Sequence, residues 1–280
     1  GGWERVADLG WDATSWTDSG LTPNHRYAYS VASWNSTGES SRASCGTVRT
    51  TPSAPTDVTA SRVSDSTQKV TWSLGENAAA TWESVEVQRS ADGGAWESLA
   101  TLPAATTNYS DASTEADHAY AYRIRSSNSG GSSGWAESGT VWTTPCAPSK
   151  VTAAATGASS VSVSVTGASS IAEAFDVERR VGSSGTWGDA TRVASLPATM
   201  PSGAGENYYR VRAVRGSLLS AWTVSAAVTT VAQPKAPTLT GVGARYATGS
   251  SATIGWRPNH PDGSAQVAAQ VEATGPDGKA

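Results

Sequence analysis

Residues Tyr120 to Pro145 read YAYRIRSSNSGGSSGWAESGTVWTTP, and residues Tyr27 to Pro52 read YAYSVASWNSTGESSRASCGTVRTTP. The two stretches have the same length, open on Tyr-Ala-Tyr and close on Thr-Thr-Pro. Both begin with an alternation, Tyr27, Tyr29, Val31 in one and Tyr120, Tyr122, Ile124 in the other. A period of two puts these side chains on one face of an extended strand. The following run of Asn, Ser, Gly and Thr predicts a turn, and a second strand returns toward the threonines. A looser copy runs through Tyr209, Val211 and Ala213 to Thr230. The chain is an array of one β-rich unit, and every further reading is placed on that repeat.

Composition agrees. Of 280 residues, 38% are hydrophobic and 16% charged, while the Leu, Glu and Lys that favour long helices are scarce. Twelve Trp against one Phe means that Trp and Tyr supply most of the aromatic core. The net charge of −4 is uneven: residues 53–145 hold 5 basic and 11 acidic side chains (−6), residues 146–230 hold 7 and 5 (+2). Without a dense basic cluster, nucleic acid is not an expected partner. No apolar run is long enough for membrane insertion. Cys45 and Cys146 are separated by a whole unit, roughly 30 Å at ~3.3 Å per strand residue. That exceeds the ~7 Å Cα separation a disulfide tolerates, so two free thiols are expected, and they leave the redox compartment open.

Taken in order, Gly1 to Leu9 matches Gly94 to Leu102 through Trp3/Trp96 and Leu9/Leu102, which predicts the second arm of a hairpin. Thr14–Asp18 reads as a short strand. Then Leu21-Thr-Pro23-Asn-His-Arg-Tyr27-Ala-Tyr29-Ser-Val31 resembles the tyrosine corner and following strand of a fibronectin type III domain. The resemblance implies an immunoglobulin-like sandwich of seven strands in two antiparallel sheets, with the Tyr27 hydroxyl bonded back to nearby backbone. The second unit carries the whole pattern: Lys69-Val-Thr-Trp72 with a core tryptophan, a strand through Val85, Val87 and Arg89, an Asp-Gly hairpin at Ala91–Gly94, and a corner at Tyr120.

The repeat divides the chain into 1–52, the C-terminal half of such a domain; 53–145, a complete domain; 146–230, a further fibronectin type III-like domain; and 231–280, the N-terminal part of another. In the third unit Val165 stands where Trp72 stands after the opening proline, and Asn207 replaces the corner tyrosine, so other side chains must fill a reduced core. The fourth unit reaches Ile254-Gly-Trp256 and stops at GPDGKA in a predicted turn, nearly the repeat phase at which the chain opens. The units are joined by Thr51–Pro55, Thr144–Pro148 and Val231–Pro237. These short proline-bearing linkers fix φ and predict an elongated rod.

Several motifs dissolve on inspection. Gly130-Gly-Ser132-Ser-Gly134 is a literal G-x-S-x-G, but a nucleophile elbow lies between a strand and a helix, and here a second strand follows. His25 and His118 occupy equivalent turns, one per unit, and His260 stands alone, so no metal set converges. Gly241-Val-Gly243 lacks a third glycine, Tyr246 taking its place. Arg215-Gly-Ser217 sits where some members of the family carry Arg-Gly-Asp, but lacks the carboxylate. Asn35-Ser-Thr37 and Asn108-Tyr-Ser110 are glycosylation sequons by pattern. Neither a catalytic residue, a cofactor site nor a metal site is expected, and the chain reads as non-enzymatic.

The tryptophans beyond the core (Trp34, Trp82, Trp135, Trp142, Trp222) are the remaining candidates. Exposed aromatic faces stack on sugar rings, but Trp135 and Trp222 recur at one place after the turn, which favours packing. They are taken as a candidate ligand-or-packing surface. Through the resemblance, Thr-Thr-Pro-x-Ala-Pro linkers in a small-residue-rich array look like bacteriophage tail-fibre and minor tail proteins. The expected role is a spacer on an extracellular or virion surface, taking part in host attachment. Its expected partners are neighbouring modules of the array, other tail or cell-surface proteins, and surface glycans. A secreted adhesin and an accessory region of a polysaccharide-degrading enzyme are the other readings.

Overall fold

The computed structural model describes residues 2–75, 83–232, 235–241, 247–248, 251–252, 254–259 and 269–273. Every element among them is a β-strand, and none is a helix able to cross a membrane. The chain divides into two compact units, Gly1–Thr143 and Thr144–Ala280.

In the first unit, residues 56–142 build a sandwich. One sheet orders Thr56–Ser64, Thr67–Ser73 and Asn108–Asp111. The other orders Glu97–Pro103, Ser84–Ala91 and Ala119–Asn128, and a return strand pairs with the last of these in three pieces, Gly131–Ser132, Ala136–Glu137 and Val141–Trp142. Counting those pieces as one strand gives three plus four, the seven-stranded antiparallel sandwich that the resemblance implied. Ala119–Asn128 alternates strictly between half-buried and buried positions, as the period of two requires. Its inner residues Tyr120, Tyr122 and Ile124 meet Val70, Trp72, Val85, Val87 and Val141 in one core. The Asp-Gly turn takes the expected form: Asp92 and Gly93 have φ of 52° and 71°, and Gly94 N–H donates to Ala91 C=O at 2.8 Å.

Residues 1–52 behave differently. Arg26–Val31 pairs with Ala43–Arg49, and Trp34–Asn35 with Gly38–Glu39. The expected hairpin arm at Gly1–Leu9 and strand at Thr14–Asp18 do not form, since residues 2–25 contain no strand. The reason is pairing. In the second repeat the equivalent segments lie against Ser84–Ala91 and Thr67–Ser73, and residues 1–52 hold no counterpart of either. The facing sheet is missing with them, so Val31 and Val48 are 68% and 47% exposed, whereas their equivalents Ile124 and Val141 are buried.

The two repeats of this unit interlock. Asn128, at the tip of Ala119–Asn128, donates its amide to Asn24 Oδ1 (2.8 Å) and Thr50 C=O (2.9 Å), and both asparagines are buried. Gly130 N–H donates to Asn128 Oδ1 at 2.7 Å, which holds the amide in place. A Cβ on Gly130 would lie 2.2 Å from Arg49 C=O, so only glycine lets the hairpin come this close.

In the second unit, residues 146–230 repeat the three-plus-four order. Lys150–Ala155, Ser160–Thr166 and Ala198–Pro201 face Thr191–Val193, Ala174–Val181, Gly205–Arg215 and a return strand again in three pieces. The reduced core expected from Val165 is filled by the chain's one Phe and one Met, Phe175 and Met200, which pack with Val161, Val163, Tyr209 and Val211 while Val165 rests at the margin. In the fourth repeat Lys235–Gly241 pairs with Gly255–Asn259 and sets Leu239 opposite Trp256. Trp82, His260, Val242–Tyr246 and the terminal GPDGKA lie outside the described residues.

Candidate functional site

The corner that marked the repeat forms as expected. The Tyr27 hydroxyl accepts from Thr22 N–H and that of Tyr120 from Glu115 N–H, each at 3.0 Å. Beside each corner the Thr-Thr-Pro motif closes a clasp. Thr50 Oγ1 accepts from His25 N–H and Thr143 Oγ1 from His118 N–H, both at 2.9 Å, and each hydroxyl donates back to the same histidine's carbonyl. The histidine rings are turn furniture: His25 Nδ1 meets Pro23 C=O and His118 Nδ1 meets the Asp92 carboxylate.

Asn207 keeps the third corner closed by another route. Fully buried, it donates to Gly203 C=O, Gly205 C=O and Thr230 Oγ1, and its Oδ1 accepts from Gly203 N–H and Arg179 Nε. A side-chain amide, with two donors and an acceptor, stitches the turn at several points where the Tyr120 hydroxyl makes a single bond.

One charged cluster lies inside the second repeat. Asp111, 1% exposed, accepts from Arg89 Nη1 and the Tyr122 hydroxyl, both at 2.9 Å, and from the Ser113 N–H and Oγ–H. Burial alone would raise its pKa. The Ser113 and Tyr122 bonds and the Arg89 charge outweigh burial and hold the carboxyl below its ordinary value. The Tyr122 phenol is pushed up, first by burial and then by the neighbouring carboxylate. The first repeat keeps a reduced version, Tyr29 hydroxyl to Asp18 at 2.9 Å.

The outer face of the four-stranded sheet carries the candidate tryptophans. Arg123 and Arg125 stand two residues apart on one strand, ~7 Å at its rise. The Trp135 ring slots between them, with guanidinium carbons 4.3 and 4.4 Å from its centroid. Arg123 also stacks on Trp96 at 4.5 Å. The third repeat carries a longer stack of its own: Trp222 lies between Arg210 (4.4 Å) and Arg212 (4.5 Å), Trp187 between Arg180 (4.7 Å) and Arg210 (4.6 Å), and Arg180 meets Tyr208. Cross-strand register supplies the counter-groups. Arg125 faces Glu86, Arg123 faces Gln88, Arg210 faces Glu178 and Arg212 faces Asp176, each pair hydrogen-bonded.

The return strand breaks into pieces to let the ring in. Ser133 and Ser138, flanking Trp135, accept Ser126 N–H and Tyr122 N–H on their hydroxyls, both at 3.0 Å. Ser220 and Ser225, flanking Trp222, do the same for Ala213 and Tyr209. Sequence reading found the recurring tryptophans and missed this frame, which was visible as Ser-x-Trp-x-x-Ser in Ser133–Ser138 and Ser220–Ser225. The first repeat has Arg42 at the ring position and Ser30 and Ala32 at the arginine positions, and it has no ladder.

With a guanidinium on either side, Trp135 and Trp222 present edges rather than the open faces a sugar ring stacks on. Trp34 is exposed, and Trp142 is half-buried opposite Ala119. Ser132 sits in the hairpin with its hydroxyl against Ser127 Oγ at 2.8 Å, and Arg215-Gly-Ser217 is likewise a hairpin turn. Neither cysteine forms a disulfide, and both are exposed. Among the described residues no three His, Cys, Asp or Glu side chains come close enough to share a metal ion.

No family model matches the chain, and no curated protein matches it. Solved structures do. A two-domain fibronectin type III segment of chicken tenascin is 15% identical, with a TM-score of 0.37 over 63% of this chain and 99% of that one. The FN1–FN3 domains of chicken CNTN1 are 14% identical, with a TM-score of 0.40 over 68% and 72% of the two chains.

Proposed function

We propose that the chain is a non-enzymatic structural spacer, borne on an extracellular or virion surface as a segment of a bacteriophage tail-fibre or minor tail protein that serves host attachment. The observation that carries the spacer reading is the interlock of the first two repeats. A buried asparagine pair and a glycine-only approach hold the sandwich against the partial repeat before it, which is what a segment that sets distance requires. The clasp of the first and second repeats and the ladder of the second and third serve the same end, since they brace sheets and leave ring faces covered. The virion setting rests on the resemblance of the linkers and composition to tail-protein arrays. Its partners in that setting are the neighbouring modules and the tail or cell-surface proteins at either end.

Antibodies raised against the purified chain test the setting. Decoration of phage tails, seen by electron microscopy of virions, is the expected result. Decoration of bacterial cell walls would favour the adhesin reading, and staining confined to the cell interior would sink both. The spacer role is tested separately by deleting residues 53–145: the attachment device should lose one module of reach and keep its receptor.

A further inference from the structure

The second and third repeats each place an arginine at the third inward position of the same strand, Val85-x-Val87-x-Arg89 and Phe175-x-Val177-x-Arg179. Their surroundings differ in one respect. Arg89 is saturated: it bonds the Asp111 carboxylate at 2.9 Å, the Ser113 carbonyl and hydroxyl, and Glu97 at 3.2 Å. In the third repeat both carboxylates are gone. Asp111 pairs with Gln68 across the sheet, and the corresponding pair is Met200 with Val161. Glu97 lies opposite Arg89, and opposite Arg179 stands Gly188, whose N–H donates to the Arg179 carbonyl.

Arg179 therefore keeps only a neutral partner, Asn207 Oδ1 at 2.8 Å to its Nε. Its outer guanidinium nitrogens extend over Gly203, where a Cβ would lie 2.6 Å from Nη2. Arg192, Arg210, Arg212 and Arg215 in the same repeat all have carboxylate partners. Arg179 and its neighbour Arg180 have none among the described residues, and Arg180 spends its guanidinium on the Trp187 and Tyr208 rings. Both arginines line a cleft of about 440 Å³, walled by Gly185, Thr186, Asp189 and Met200.

We propose that this cleft binds a carboxylate with a short apolar stem, the anion seated on the Arg179 guanidinium and the stem on the exposed Val181 and Pro201 that also line it. A guanidinium fork matches a carboxylate in two parallel bonds. The ligand supplies from outside the negative charge that Asp111 and Glu97 supply to Arg89 from within. Inorganic phosphate brings no stem to cover the Val181 and Pro201 wall, so the cleft favours the carboxylate. The site is independent of the spacer reading.

The test is titration of the full chain, followed by amide and arginine Nε NMR signals, with butyrate, with N-acetyl-glutamate N-methylamide and with inorganic phosphate. Saturable shifts at Arg179 Nε and the Gly188 amide are expected with both carboxylates. Tighter binding of the blocked glutamate identifies an acidic peptide as the source, and tighter butyrate a free acid. Arg179→Met should abolish the shifts. Gly188→Glu, at an exposed position outside the core, should weaken binding at least tenfold by returning a carboxylate to the guanidinium. Shifts of equal size with phosphate, unchanged affinity in Gly188→Glu, or no saturation with either carboxylate would overturn the proposal.

Discussion

Asn128 and Asn24 lie 104 residues apart in sequence and meet amide to carbonyl at 2.8 Å, buried between two repeats. Asn128 reaches across because the Gly130 N–H holds its Oδ1, and Asn24 presents its own oxygen from a left-handed backbone, φ 55°, as asparagine tolerates.

The first prediction concerns that contact. Asn128→Ala leaves Asn24 Oδ1 and the Thr50 carbonyl without their donor, a loss of about 1–3 kcal/mol for buried groups. Gly130→Ala drives a methyl into Arg49 C=O and should open the junction outright. In hydrogen exchange, Asn24 N–H, which donates to Thr51 C=O beside the junction, should lose protection in both variants. The Ile124 amide in the sandwich core should keep its protection. Parallel loss at both places would mean that the hairpin supports the sandwich rather than the junction.

Much of this was legible beforehand. Period-two alternation gave the Tyr120–Ile124 strand, Asp-Gly gave the hairpin, and Leu21–Tyr27 gave the corner, because each depends on local geometry. Thr14–Asp18 failed because a strand exists only through its partner. The Asn24–Asn128 contact and the arginine ladder were invisible for a related reason. Both arise from residues far apart in sequence that only sheet register brings together, as when Arg125 falls opposite Glu86. The Gly130 requirement hid inside a motif that looked enzymatic.

Two tryptophans separate core from ladder. Trp72 is 4% exposed and central, so Trp72→Ala should cost about 3–5 kcal/mol. Trp135 is half-buried, and its main partners are two guanidinium groups, each worth roughly 0.5–2 kcal/mol. Trp135→Ala should therefore cost clearly less in chemical denaturation. A loss equal to that of Trp72→Ala would show that the ladder is part of the core.

Asn207 offers a sharper case. Asn207→Leu fits the volume but removes all five amide contacts at the third corner, leaving the Gly203 N–H, the Gly205 C=O and the Arg179 Nε without this partner, while Thr230 Oγ1 still donates to Gly203 C=O. The exposed Gly205 carbonyl can turn to water, so at about 1–3 kcal/mol for each inner group left unpaired a loss of roughly 2–3 kcal/mol is expected. Denaturation followed at the Tyr209 and Val211 signals measures it, and a near-neutral result would mean that water replaces the amide.

The last prediction is a pH dependence of the second repeat. The Asp111 carboxyl titrates below its ordinary value in the fold, whereas in the unfolded chain it titrates near ~3.9. Its contribution to stability is therefore complete above about pH 4 and is lost as pH falls through the lower folded value. The Tyr122 phenol shifts the opposite way, above its unfolded value of ~10, so its contribution is complete below about pH 10 and is lost at higher pH. Asp111→Asn mimics the protonated carboxyl and leaves Arg89 without its nearest anion. The stability gap between wild type and Asp111→Asn should thus be widest near neutrality and close as pH falls below about 4. Tyr122→Phe should flatten the alkaline limb and leave the acid limb in place. Urea midpoints of the Ile124 signal between pH 2 and 11 read both. A gap that stays constant through the acid range would mean that the Asp111 carboxylate is not the charge that holds Arg89.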